Sequence, residues 1–287
     1  MTAHEKPWRR IIDLVPHLVL ILGVLVFAFP IYMTLIGSTW DAATIARGNL
    51  PLTPGGEAAA NYAAAWSEGR GERVTGTPVR IMMVNSLIMA LSIAVGKIAI
   101  SILSAYAVAF FRFPGRMLFF WIIFVTLMLP VEVRIIPTYK VVADLGLIDT
   151  YAGLTIPLIA SATATLLFRQ FFLTIPDELV EAAKIDGAGP VRFFFDVLLP
   201  LSRTNIAALF VILFIYGWNQ YLWPLLVTSS REMQTMVIGI TQMIGTGESA
   251  TDWNIIMATT VLALLPPVAV VVAMQRWFVK GLVDSEK

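Results

Sequence analysis

The chain has 287 residues, of which 58% are apolar and 14% charged, and its net charge is +1. Soluble domains carry about 25% charged residues, and disorder needs low hydrophobicity, so this composition argues against both an ordinary soluble enzyme and a disordered chain. The small net charge argues against a nucleic-acid binder, and zero cysteines with two histidines, His4 and His17, leave little for thiolate chemistry, a metal site or a catalytic triad.

About 20 apolar residues build one membrane-crossing helix. Long apolar runs predict six such spans, at 14–36, 81–110, 117–137, 153–173, 204–226 and 255–275. Residues 1–13 form the N-terminus. The first span follows the basic flank Lys6 to Arg10, but it is longer than a signal-peptide core and no small-x-small cleavage site follows, so it reads as a retained anchor. Residues 37–80 form a long loop with Trp40, Tyr62 and Trp66, expected to bind something or to pack as a cap. Residues 81–275 hold the five remaining spans as one core, and 276–287 form the tail.

Within that core, 111–116 is a tight turn, and 138–152 and 227–254 are shorter loops on the side of the long one. With the N-terminus inside, twelve Lys and Arg residues fall on the inner side and seven on the outer, and Lys97 sits within a span. Basic flanks stay cytoplasmic, so both termini are expected inside.

The loop 174–203 is the long internal one, and its charges set it apart from the spans. Pro176 suits a first helical turn, and Asp177 and Glu178 suit a helix N-terminus. The first short helix is expected to run to about Asp186, where Gly187 permits the positive φ of a helix end. Pro190 starts a second helix toward Leu199, and Pro200 is expected to close it. Leu179, Ala182, Ala183 and Asp186 fall at helical spacing and predict a face of small residues that another protein surface can approach closely. The expectation is a helix–turn–helix knob between spans four and five of an all-α membrane protein.

Glu181-Ala182-Ala183, three residues, Gly187, nine residues and Val197-Leu198-Leu199-Pro200 resemble the loop that marks membrane permeases of binding-protein-dependent ABC importers. Ala105-Tyr106-Ala107 with Phe111-Arg112-Phe113-Pro114-Gly115, Trp218 to Pro224, and Gln275-Arg276 to Gly281-Leu282 are similar to the carbohydrate (maltose-type) subgroup. Leu129 to Arg134, Phe168 to Phe172, Tyr216 to Tyr221 and Gly281 to Lys287 resemble the permeases of glycerol-3-phosphate importers within it. The similarity is weaker over 37–80 and 228–252.

The resemblance implies a type I importer permease in a bacterial inner membrane. It implies a heterodimer with a second permease, an ATPase dimer and a periplasmic or external solute-binding protein. The coupling residues carried over are Glu181, Ala182, Ala183, Asp186, Gly187 and Pro200. ATP and Mg belong to the ATPase; no cofactor is expected in this chain, which has no Gly-x-x-x-x-Gly-Lys-Ser/Thr loop, and no catalysis is expected of it. The expected cargo is glycerol-3-phosphate or related glycerophosphodiesters, with a sugar or oligosaccharide as the alternative. An ion-driven transporter would more often show inverted repeats, and for a membrane enzyme this chain offers few candidate catalytic groups.

Candidate path residues are Lys97, Glu132, Arg134, Asn219 and Gln220. A cation at bilayer centre costs about 2.5–3.5 kcal/mol on insertion scales, so Lys97 faces protein or water, either as a structural cation or toward an anionic cargo. Arg134 is suited to forked phosphate contact or to an ion pair with Glu132. The aromatic run of span five reads as an interfacial belt, while Asn219 and Gln220 need partners if buried. Arg169 is expected to snorkel to the headgroups.

Overall fold

The computed structural model describes residues 7–69, 76–128, 131–244 and 251–284, and side chains for 14–69, 76–125, 133–244 and 251–277. Among the described residues all regular structure is helical. The order is α1 (Pro7–Gly37), α2 (Ala42–Ala46), α3 (Ala58–Ser67), α4 (Val79–Phe110), α5 (Arg116–Met128), α6 (Val131–Asp144) and α7 (Tyr151–Thr155), which a 3-10 turn continues. Then come α8 (Ala162–Phe172), α9 (Asp177–Ile185), α10 (Pro190–Phe193), a π turn Phe194–Leu198, α11 (Leu199–Leu201), α12 (Arg203–Trp218), α13 (Leu222–Val227), α14 (Met236–Met243) and α15 (Trp253–Asp284).

Leu14–Gly37, Val79–Phe110 and Trp253–Trp277 are each long and apolar enough to cross a membrane, matching predicted spans one, two and six. Two further stretches are bent pairs: Tyr151–Leu158 with Ala162–Phe172 at 47°, and Pro190–Leu201 with Arg203–Trp218 at 71°. Predicted span three contains the shorter α5 and the start of α6. Predicted span five stops at Trp218 and resumes at Leu222. Proline explains that break, because a Pro224 ring inside a continuous helix clashes with the carbonyl four residues earlier. At the third position of α13 the missing N–H of Pro224 costs nothing.

The chain divides into two compact units. The first is Met1–Val79 with Gln242–Leu262. In it α1 is apolar on all sides and largely exposed from Leu14 to Leu35, as suits a helix facing lipid or another protein. The loop after it folds as a cap. Asn61 Nδ2 donates to the carbonyls of Ser38 and Trp40 at 2.9 and 2.8 Å, and its Oδ1 accepts from Asn254 Nδ2 at 2.8 Å. Asp41 caps α2; the Thr44 hydroxyl and backbone N–H hold its carboxyl below the usual range.

The second unit is Arg80–Thr241 with Ala263–Lys287. Its core packs Met89 and Ile93 of α4 with Ile135 and Val142 of α6, Leu154, Leu158, Trp223 and Val227. Helix α12 crosses α4 at Gly217, where a Cβ would stand 2.9 Å from Ala90 Cα. Small residues at a crossing let backbones approach this closely. Pro157 cannot donate the N–H that would bond the Gly153 carbonyl in a regular helix. The buried Trp223 indole supplies it instead, Nε1 to Gly153 O at 3.1 Å. The broken α7–α8 span is thereby fastened to α13.

Asn85, Ser86 and Asp149 fasten the loop that follows α13. Buried Asn85 donates to the carbonyls of Glu232 and Gln234 at 2.7 and 2.9 Å and accepts from the Tyr151 hydroxyl at 2.7 Å. The Ser86 hydroxyl accepts from Met236 N–H at 2.8 Å. Asp149, at φ 57°, accepts from the backbone N–H groups of Ser229 and Ser230 and from the Ser229 hydroxyl.

Candidate functional site

The segment 174–203 forms the expected helix–turn–helix. Pro176 is the extended N-cap of α9, and Asp177 and Glu178 fill its first turn, where carboxylates complement the helix dipole. Gly187 takes φ +75°. Its N–H bonds the Lys184 carbonyl at 3.0 Å, and Ala188 N–H bonds the Ala183 carbonyl at 2.9 Å. This pair of bonds is the Schellman closure of a helix end. Pro190 then opens α10, as read from the sequence.

An aromatic cluster holds the knob from beneath. The Tyr106 ring of α4 lies 5.3 Å from Phe194 and 6.4 Å from Phe193, and Phe110 lies 5.5 Å from Phe193 and 5.9 Å from Phe172. The Tyr106 hydroxyl donates to the Pro190 carbonyl at 3.0 Å. The small-residue face is divided. Ala183 is buried against this support and lines a groove of about 210 Å³ with Tyr106, Phe110, Phe111, Lys184 and Phe193. Glu181, Ala182, Asp186 and Gly187 stay exposed. The tip carries Ile185 at 86% exposure and Val191 at 72%, far more than a self-contained surface needs.

Pro200 does not close the second helix. It occupies the first turn of α11, and the helical path runs on to a sharp bend at buried Ser202. Proline is tolerated there because the π turn before it leaves the N–H of that position unneeded.

The second predicted group meets around a cavity of about 260 Å³ lined by Arg134, Ile135, Thr138, Pro157, Leu158, Tyr216, Gln220, Leu222 and Trp223. Arg134 and Gln220 therefore come together. Gln220 Nε2 donates to the Tyr216 carbonyl at 3.1 Å, leaving its Oε1 as an acceptor. Asn219 is exposed at the end of α12 and does not line the cavity. Lys97 is only 7% exposed, and its Nζ lies 4.0 Å from the centre of the Tyr216 ring, a cation–π contact. Glu132 lies on α6, and its side chain is outside the described residues.

Two expectations need correction, and two residues enter the site unforeseen. Trp218 and Trp223 are core side chains, 4% and 3% exposed, so the aromatic run is not simply an interfacial belt. The Arg169 guanidinium stacks 4.3 Å over the Phe120 ring and leaves its Nε buried without a hydrogen bond, where snorkelling was expected. Tyr216 and Thr138, which the sequence reading did not single out for the path, line the cavity. A signal for Thr138 was present: on a helix it stands one turn from Arg134, and its hydroxyl bonds the Arg134 carbonyl at 2.7 Å.

Helices this apolar on their exposed faces define an integral membrane protein of the α-helical class. Residues 97–284 match the family described as "Binding-protein-dependent transport system inner membrane component", and the chain belongs to that family. It is an inner-membrane, multi-pass component of a transport system that works with other ABC components. It is 63% identical over 279 residues, 97% of this chain and 99% of the relative, to the sn-glycerol-3-phosphate transport system permease protein UgpE of Rhizobium meliloti (strain 1021). The protein of the same name from Yersinia pestis bv. Antiqua (strain Antiqua) is 58% identical over the same shares of both chains. The fold is similar to a chain in the crystal structure of a bacterial ABC transporter involved in the import of the acidic polysaccharide alginate. That likeness has a TM-score of 0.81 at 22% identity and covers 96% of this chain and 100% of the other.

Proposed function

We propose that this chain is the permease half that carries glycerol-3-phosphate or related glycerophosphodiesters through an ATP-driven importer. A second permease completes the path, a dimeric ATPase binds ATP and Mg, and an external solute-binding protein delivers the cargo. The chain makes six crossings with both termini in the cytoplasm, and the knob lies on that side, where basic residues are in excess. The observation that carries the reading is the knob. It is closed by a Schellman motif at Gly187, braced by Tyr106 and Phe110, and tipped with exposed Ile185 and Val191.

A rigid projection with an apolar tip suits a socket on the ATPase. Glu181, Ala182, Ala183, Asp186, Gly187 and Pro200 shape it, with Ala183 acting from beneath. Closure of the ATPase dimer moves the knob, the helices above it rock, and the path opens to the outside. Arg134 and Gln220, with Lys97 behind Tyr216, are the path residues that suit an anionic cargo. A cation that no carboxylate among the described residues pairs favours a phosphate ester over a neutral sugar, and Glu132 and Asn219 remain candidates along the same helices.

The chain has no cysteine, so a single cysteine at Ile185 is an unambiguous probe. In the assembled complex Ile185→Cys should cross-link to the ATPase and resist a membrane-impermeant thiol reagent applied from outside. Labelling from outside, or an absence of cross-linking to the ATPase in an assembled complex, would overturn the reading.

A further inference from the structure

We propose that the cavity beside the break between α12 and α13 is selective for phosphate monoesters over diesters, with Arg134 as the contact residue and Lys97 as a positioning charge held behind Tyr216. The inference rests on the phosphate-ester reading above and goes further by dividing the labour between the two cations. It starts from where the cations stand. Arg134 is exposed and lines the cavity, and among the described residues no carboxylate pairs with it. Lys97 does not line the cavity; it is buried, and the face of the Tyr216 ring covers its ammonium at 4.0 Å. Tyr216 lines the cavity, so one side chain separates the hidden cation from the space where cargo sits.

Two like charges held at one cavity favour a ligand that brings two opposite charges. A phosphate monoester carries about −1.5 to −2 at pH 7, because its second ionisation lies near pH 6. A phosphodiester lacks that ionisation and brings one negative charge. The guanidinium fork matches two phosphoryl oxygens. Lys97 contributes at longer range, through low-dielectric protein, and therefore reads total charge more than shape. The rest of the lining suits a short polyol. The Tyr216 hydroxyl has no hydrogen-bond partner among the described residues, Gln220 Oε1 is free to accept, and Ile135, Leu158 and Leu222 close the apolar wall. At about 260 Å³ the cavity is smaller than the roughly 300–1,000 Å³ typical of drug-sized ligands, as befits a small ester.

For a cation about 10 Å from the ligand at an effective dielectric of about 20, one extra unit of ligand charge is favoured about tenfold. The test measures uptake of labelled glycerol-3-phosphate and of the phosphodiester of two glycerols in the reconstituted four-component transporter. The same binding protein is used throughout, at neutral pH, where the monoester is already largely a dianion. Lys97→Met should lower the monoester-to-diester ratio about tenfold, while binding-protein-stimulated ATP hydrolysis shows that the complex is assembled. Arg134→Gln, at an exposed position, should lower the uptake of both esters and that of the monoester more, and it carries the test alone if Lys97→Met does not assemble. An unchanged ratio in an assembled variant overturns the inference and leaves the phosphate-ester reading standing. Uptake of neither ester by the unaltered complex overturns that reading itself.

Discussion

Gly187 is the residue at which the coupling account is most exposed to test. Its φ of +75° closes α9 through two backbone bonds, and a Cβ added there meets nothing within 4 Å. The cost of any L side chain within this chain is therefore the left-handed backbone alone, about 1–2 kcal/mol. Ala and Leu share that cost, and Asn lowers it, since asparagine visits this region more readily. A socket receiving the tip adds a steric term that Leu has and Ala lacks. Leu should therefore lose more coupling than Ala, and Asn should lie nearest the unaltered chain. The assay is the number of substrate molecules taken up per ATP hydrolysed in proteoliposomes, with ATPase retention on the purified complex as the companion measurement. A Leu variant that couples as well as the unaltered chain refutes docking at this tip. Equal losses for Ala and Leu show backbone strain alone and refute the steric socket.

Other expectations follow from the packing. Trp223→Phe keeps the ring and removes the N–H on the Gly153 carbonyl, so about 1–3 kcal/mol of stability should be lost; an unchanged thermal midpoint in detergent would contradict it. Gly217→Val places a side chain against the Ala90 backbone, and overpacking costs about 1–3 kcal/mol, read as a lowered midpoint or poor assembly. At Asp149, burial raises the pKa, but the Ser229 and Ser230 hydroxyls and N–H groups outweigh it and hold the value below the usual carboxylate range. The folded-state pKa is depressed, so the tie is present above the ordinary value and is lost as pH falls through the lowered one. Protection of the Ser229 and Ser230 amides, taken relative to intrinsic exchange at each pH, should fall in acid, and fall at neutral pH in Asp149→Ala; protection indifferent to both changes would argue against the tie.

How much of this was legible in the sequence depends on the range of each cause. The knob was readable because its signals are local: Pro176 and the acids before α9, Gly187 after it and Pro190 at the next start all act within one turn. Pro200 was misread because a proline that opens a turn and one that ends a helix look alike without the path between them. The break in span five was partly legible: Pro224 marks a place where the helix could kink, but whether the helix bends or stops there depends on packing that no local pattern announces. The cavity was half legible. A charge in an apolar run marks Arg134 and Lys97, but only the fold places the Tyr216 ring between Lys97 and the space Arg134 faces. The ties made by Asn85, Asp149 and Asn61 join residues 80 to 193 positions apart in seven of their bonds, and no local pattern announces such partners. The Trp223 bond to Gly153 is of the same kind: Pro157 reveals that a carbonyl is left open, and the fold reveals what fills it.

The central claim is ATP-driven movement of a phosphate ester through a path half-built by this chain. Its most direct test is accumulation of labelled glycerol-3-phosphate in proteoliposomes holding both permeases and the ATPase, with the binding protein on the donor side. The account predicts uptake against a gradient that requires both ATP hydrolysis and the binding protein. An assembled, ATP-hydrolysing complex that accumulates no glycerol-3-phosphate, or uptake that survives ATP depletion and collapses with the proton gradient, would contradict it.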